Sequence, residues 1–239
     1  MNAPRSRRIE RAEWAGTRSP TRTVVHVCVV IAGDHGRVAL MSSRLLIARG
    51  ERVAGLVRRP EQAAALRAAG VRPLLADLAT ATADDLARHL GGARAALFAA
   101  GAGLGDAPGH ANPVDHDAIV TFADAAERAG VRRFVMLSTM GADPAIHYPD
   151  NPLVESFLRA RGRADENLLA RDALDTTVVR PSWCRDRPGG GRVHLAAVLA
   201  ALVALPATAP RVLRLTTGPT PVADAVAACL PPLHEHGKV

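Results

Sequence analysis

Apolar runs of two kinds alternate along the chain. The run VVHVCVVIAG (24–33) is almost continuously apolar, rich in β-branched residues and closed by glycine, the pattern of a strand covered on both faces. RVALMSSRLLIAR (37–49) carries its apolar residues at helical spacing and stops at Gly50. The two signatures then repeat. Strands are predicted at RVAGLV (52–57), VRPLLA (71–76), ARAALFAA (93–100), RRFVMLS (132–138) and LDTTVVR (174–180). Between them fall helices at PEQAAALRAA (60–69), TADDLARHL (82–90), VDHDAIVTFADAAERA (114–129) and 152–171. The remainder is looser: a loop RDRPGGGR, a helix over 194–204, a short strand RVLRLTT and a last helix PVADAVAACL.

Strands separated by single helices need crossover connections, and so form a parallel sheet. The expected fold class is α/β, a doubly wound parallel sheet (Rossmann fold). A single Rossmann-like domain is expected over 23–239, with a small C-terminal substrate-side extension. Residues 1–22 read as a disordered basic tail, with six arginines against two glutamates, net +4 of the chain's +7. Only +3 is left for the other residues, which argues against a nucleic-acid surface.

Composition changes the picture in three places. Aromatics make up 3% of the 239 residues, so Ala, Val and Leu must fill the core. The run LAAVLAALVAL (195–205) is too short for a bilayer, which takes about 20 residues, so no membrane is expected. Cys28, Cys184 and Cys229 have no pairing or metal-ligand spacing, and DHD (115–117) and HEH (234–236) hold ligand types that point apart on a helix. No metal is expected, and the chain reads as cytoplasmic.

The chemistry is concentrated where strands end. The first strand delivers Gly33-Asp34-His35-Gly36-Arg37-Val38-Ala39, a G-x-x-G-x-x-A turn between strand and helix. Such glycines permit the tight turn and the approach of backbone to a pyrophosphate at the helix N-terminus. Gly33, His35, Gly36, Arg37 and Val38 are therefore cofactor candidates. Arg58 and Arg59 follow the second strand, where a basic residue meets a 2′-phosphate, so NADP(H) is expected over NAD(H). Asp77 and Leu78 end the third strand at the adenine edge, and Ala100 and Gly101 end the fourth beside ribose and nicotinamide. Asp34 is expected to stand beside the pyrophosphate, where a carboxylate would compete with the ligand for the helix end.

The chain resembles the atypical short-chain dehydrogenase/reductases of the NmrA-like NAD(P)-binding group. The resemblance runs over residues 24–230. It rests on the glycine turn and on LVRRPEQ, ADL, FAAGAG, AERAGVRRFVMLSTMGAD, NPLVESFLRARGRADE and LDTTVVRPSW, in that order. It implies that residues 33 to 37 hold phosphates, Arg58 the 2′-phosphate, Asp77 and Leu78 the adenine, and Ser138 a reacting carbonyl. The segment from Pro181 onward would shape the nicotinamide and substrate pocket.

The departures matter as much. Where relatives carry Tyr-x-x-x-Lys on the long helix, this chain has Phe157 and Arg161. Phe157 has no proton to give. Arg161 can hydrogen-bond a ribose or carboxylate but stays protonated. Tyr148 is the one tyrosine and Lys238, next to the end, the one lysine, so standard carbonyl reduction through a Tyr–Lys pair is excluded. Three readings remain. The first, which we favour, is an NADP(H)-dependent oxidoreductase of a small-molecule substrate, with Tyr148, His147 or water at Ser138 as proton source and Arg161 in the site. The second is a non-redox cyclase, isomerase or dehydratase on the same scaffold, using acid or base groups among His35, His110, His116, Asp143, His147 and Tyr148 with Trp183 and Phe157 as walls. The third is a non-catalytic NADP-sensing regulator. Oligomeric state does not follow from the sequence.

Overall fold

The structure, a computed structural model, describes residues 29–101, 114–182, 191–205, 211–216 and 218–229. The basic tail, His110, Trp183 and Cys184 lie outside the described residues. The elements are β1 (Val29–Ala32), α1 (Arg37–Ala48), β2 (Val53–Val57), α2 (Ala63–Ala68), β3 (Arg72–Leu75), α3 (Ala83–Leu90), β4 (Ala95–Phe98) and α4 (Val114–Arg128). They continue with β5 (Arg133–Leu137), α5 (Pro152–Leu169), β6 (Asp175–Pro181), α6 (Arg192–Val203), β7 (Arg211–Leu215) and α7 (Val222–Ala227). The order β3-β2-β1-β4-β5-β6-β7, parallel throughout, is the doubly wound sheet the sequence implies. The late strand RVLRL joins it at the edge, with Val178 level with Val212.

Strand side chains alternate between two cores, because successive residues point to opposite faces. Val30, Ala32, Ala96, Phe98, Phe134 and Met136 pack with α3, α4 and α5. There Phe98, Phe122 and Phe134 stack tilted, at 5.8 Å between successive ring centroids. Val29, Ile31, Leu97, Val135 and Val179 face α1, α2, α6 and α7. The apolar helix α6 is a core helix, with Leu195, Leu199 and Leu202 nearly inaccessible. Among the described residues, no helix is long and apolar enough to cross a membrane.

Two arginines finish α6. Arg133, buried in β5, donates from Nη2 to Leu202 O at 2.6 Å and from Nη1 to Asp175 O at 2.8 Å and Thr177 Oγ1 at 2.9 Å. Arg94 donates to Val203 O at 3.2 Å and pairs with Glu51. A cation at a helix C-terminus satisfies open carbonyls and complements the dipole. Burial pulls the Arg133 guanidinium down to about 10.

Candidate active site at the carboxyl ends of the strands

Strand order reverses between β1 and β4, and a cleft opens beyond the carboxyl ends of such a pair. Gly33 ends β1 with φ of 80°, and a Cβ there would collide with the backbone of Ala100 beyond β4. Glycine is required because the turn presses on the neighbouring strand's exit. Gly36 N donates to Gly33 O at 3.0 Å, closing the turn. Gly36 is also the N-cap of α1; among the described residues no side chain caps it, and the first turn holds no acidic residue. The amide end of α1 is thus left for an anion. His35, Gly36 and Arg37 are exposed around it, and Val38 is half-buried.

Asp34 corrects the sequence expectation. Its side chain does not stand beside the phosphate position; it is fully buried. Oδ1 accepts a hydrogen bond from Ser43 Oγ of α1 at 2.6 Å, and the carboxyl fills the space that a Cβ on Gly55 of β2 would need. The tertiary fold supplies both a donor and a gap, so the carboxylate turns inward. Burial pushes its pKa up to about 7, the Ser43 bond opposing. Oδ2 has no hydrogen-bond partner among the described residues. A signal for this pocket was present in the sequence: a glycine inside a strand marks close approach, and two serines sit on the buried side of α1.

The other cofactor candidates line the same edge of the sheet. Arg58 and Arg59 are exposed just past β2, and Asp77 and Leu78 are half-buried past β3. The Asp77 carboxylate accepts from Ala79 N at 3.0 Å, holding that turn. Ala100 is half-buried and Gly101 exposed past β4, and Pro181 is half-buried at the end of β6.

Helix α5 brings a row of residues against the ends of β4, β5 and β6. Phe157, Arg161 and Asp165 are four apart and share one face. Arg161 is buried; it donates to Leu137 O at 3.2 Å and Ala100 O at 3.1 Å, and its guanidinium lies 5.5 Å from the Phe157 ring centroid. A side chain at Gly101 would meet Arg161 Nη2. The arginine therefore ties the exits of β4 and β5 together, and Gly101 leaves room for it. One turn on, Asp165 Oδ2 accepts from Ser138 Oγ and from Arg180 Nε, both at 2.8 Å. Burial raises the Asp165 carboxyl, against the Ser138 bond and the nearby Arg180 and Arg161.

Asp165 and Arg180 were missed by sequence reasoning. Arg161-x-x-x-Asp165 repeats the helical spacing that pointed to Phe157 and Arg161, but nothing local pairs Asp165 with a residue on β6. His147 and Tyr148 sit apart from this buried group. Both are exposed, on a loop held to the start of α5: Tyr148 N donates to Glu155 Oε2 at 2.6 Å, and His147 Nδ1 lies 3.4 Å from the same oxygen. Tyr148's backbone bond is the main cause holding the Glu155 carboxyl below its ordinary value. His116 is half-buried on α4 beside Asp117, and Asp143 is exposed. No cluster of three metal-ligating side chains occurs among the described residues.

The switch-point cleft, the glycine turn and the open end of α1 define a dinucleotide-binding Rossmann protein. The chain belongs to the NAD(P)H-binding family, whose model matches residues 33–202, within the atypical short-chain dehydrogenase/reductase class. It is 31% identical over 183 residues to the UPF0659 protein C216.03 of Schizosaccharomyces pombe, covering 70% of this chain and 74% of that one. It is 30% identical over 188 residues to the uncharacterized sugar epimerase YhfK of Bacillus subtilis, covering 73% and 86%. A solved structure from Bacillus halodurans, provisionally assigned as an NAD-dependent epimerase/dehydratase, superposes with a TM-score of 0.73 at 26% identity, covering 84% of this chain and 99% of that one. The cofactor class is NAD(P)(H), and the residues of the turn fit it.

Proposed function

We propose that this chain is an NADP(H)-dependent oxidoreductase of a small metabolite that works without a Tyr–Lys pair. The observation that carries the reading is the inward turn of Asp34, which removes the one carboxylate expected to repel a pyrophosphate at α1. Gly33 to Val38 would hold the pyrophosphate, Arg58 and Arg59 the 2′-phosphate, and Asp77 with Leu78 the adenine. Ala100, Gly101 and Pro181 would flank the nicotinamide end.

The cofactor supplies the hydride when bound. The chain's own part is to orient it and manage the proton. Phe157 offers no proton, and Arg161 spends donors on two main-chain carbonyls. Ser138 commits its hydrogen to Asp165, so toward a ligand its oxygen accepts rather than donates. The product's proton then comes from water or from the His147–Tyr148 loop.

The test is a fluorescence titration of NADPH and NADH into the purified chain. NADPH should bind more tightly, and Arg58→Ala/Arg59→Ala should weaken NADPH by about tenfold, near the strength of one charge-assisted contact, while leaving NADH unchanged. Failure of both nucleotides to bind would end the reading. The epimerase name of the Bacillus subtilis relative favours a second one, a sugar-type epimerase or dehydratase on the same scaffold. Bound nucleotide that is never consumed during turnover of a sugar substrate would select it.

A further inference from the structure

Asp34 occupies an unusual place for a carboxyl group. It belongs to the turn that would carry the pyrophosphate, yet its side chain points into the protein beneath that turn. Around it are the Ser43 hydroxyl from α1 and the bare backbone of Gly55 from β2, whose strand neighbours Ala54 and Leu56 are buried and apolar. The charged or titratable groups near it in the chain, His35 and Arg37 on the turn and Arg58 and Arg59 past β2, are exposed. Oδ1 is satisfied by Ser43, while Oδ2 is buried without a partner among the described residues. A buried, half-satisfied carboxylate is costly as an anion, and a second negative charge nearby costs more.

We propose that Asp34 makes dinucleotide binding proton-linked: the population of chains takes up a fraction of a proton from solvent on Oδ2 as the pyrophosphate settles on the turn, so affinity falls as the solution becomes alkaline. The inference rests on the cofactor reading of the same turn and deepens it. A carboxyl poised to titrate near neutrality makes the coupling fall in the physiological range. The bond to Ser43 keeps the group in place in either protonation state, so the response is electrostatic and needs no movement of the turn.

The experiment measures NADPH dissociation constants by calorimetry at about pH 6 and about pH 8.5 for the parent and for Asp34→Asn, a neutral side chain of the same shape. Both proteins also carry His35→Gln, which removes the exposed imidazole from the comparison. The ligand's own 2′-phosphate titrates equally in both and cancels. The parent should weaken by about tenfold more than Asp34→Asn across this range, the size expected if bound phosphate changes the carboxyl's pKa by one. Heats at about pH 7.5 in two buffers of different ionisation enthalpy should show about half a proton more taken up by the parent than by Asp34→Asn. Parallel pH dependence of the two proteins overturns the inference and leaves the cofactor reading standing; no NADPH binding at either pH overturns both. Should Asp34→Asn fail to fold, NADH, which has no 2′-phosphate, is titrated into the His35→Gln protein, where absence of proton uptake overturns the inference.

Discussion

At the scale of single residues, two buried carboxyls shape the site, and their surroundings differ. Asp165 is met by the Arg180 guanidinium and the Ser138 hydroxyl, whereas among the described residues Asp34 has the Ser43 hydroxyl alone. Asp34 therefore leaves a clear mark on stability. Its pKa rises from 3.8 to about 7 through burial. A group raised in this way contributes stability that is fully present below the unfolded value and lost as pH rises through the folded one. Between about pH 4 and about pH 8 the protein should lose on the order of 4 kcal/mol through Asp34. Asp165 pulls in the same direction but is common to parent and variant, so comparing Asp34→Asn with the parent isolates the first group. Urea midpoints across this range should fall less steeply for the variant; equal slopes would show that Asp34 stays ionised in the fold. None of this was visible in the heptapeptide GDHGRVA, because burial depends on what β2 and α1 place opposite residue 34.

At the scale of elements, the apolar runs and their glycine stops located nearly all the helices and strands. Periodicity and end signals are properties of neighbouring residues, so they survive in the bare sequence. What could not be read was how the ends are held. Arg133 in RRFVML looks like a surface residue of a strand, yet it is buried and donates to the last turn of α6, 69 residues away. Arg133→Met should remove that cap together with the bonds to Asp175 O and Thr177 Oγ1, leaving Leu202 O only the Leu205 amide among the described residues, and should lower stability by roughly 1.5–3 kcal/mol. Amide exchange should accelerate first in the final turn of α6, with α3 and α4 less affected. Uniform acceleration across the chain would mean that Arg133 supports the whole sheet rather than one helix end. The row on α5 shows the same limit: spacing put Phe157 and Arg161 on one face, but only the packing of α5 on the sheet added Asp165 to them and showed that Arg161 faces carbonyls at the exits of β4 and β5.

At the scale of the whole molecule, the two cores meet through the sheet, and the binding edge lies where both helical layers stop. A ligand seated on that edge contacts the exits of strands from both halves of the sheet and binds the native state alone. NADPH at a hundred times its dissociation constant should therefore raise unfolding free energy by about 2.7 kcal/mol, read as a concentration-dependent rise in melting temperature. A melting temperature unmoved by saturating nucleotide would contradict binding at this edge.

By itself, the sequence determined the α/β class, the parallel sheet, the glycine turn and the spacing of Phe157 and Arg161 on one helix. Each of these is written in local pattern or in residue identity. Tertiary structure alone decided that Asp34 folds away from the ligand face, that Ser138 and Arg180 converge on Asp165, and that Arg161 braces two strand ends. Those outcomes depend on pairs of groups far apart in the chain, and on the desolvation each meets once the sheet and its helices close around it.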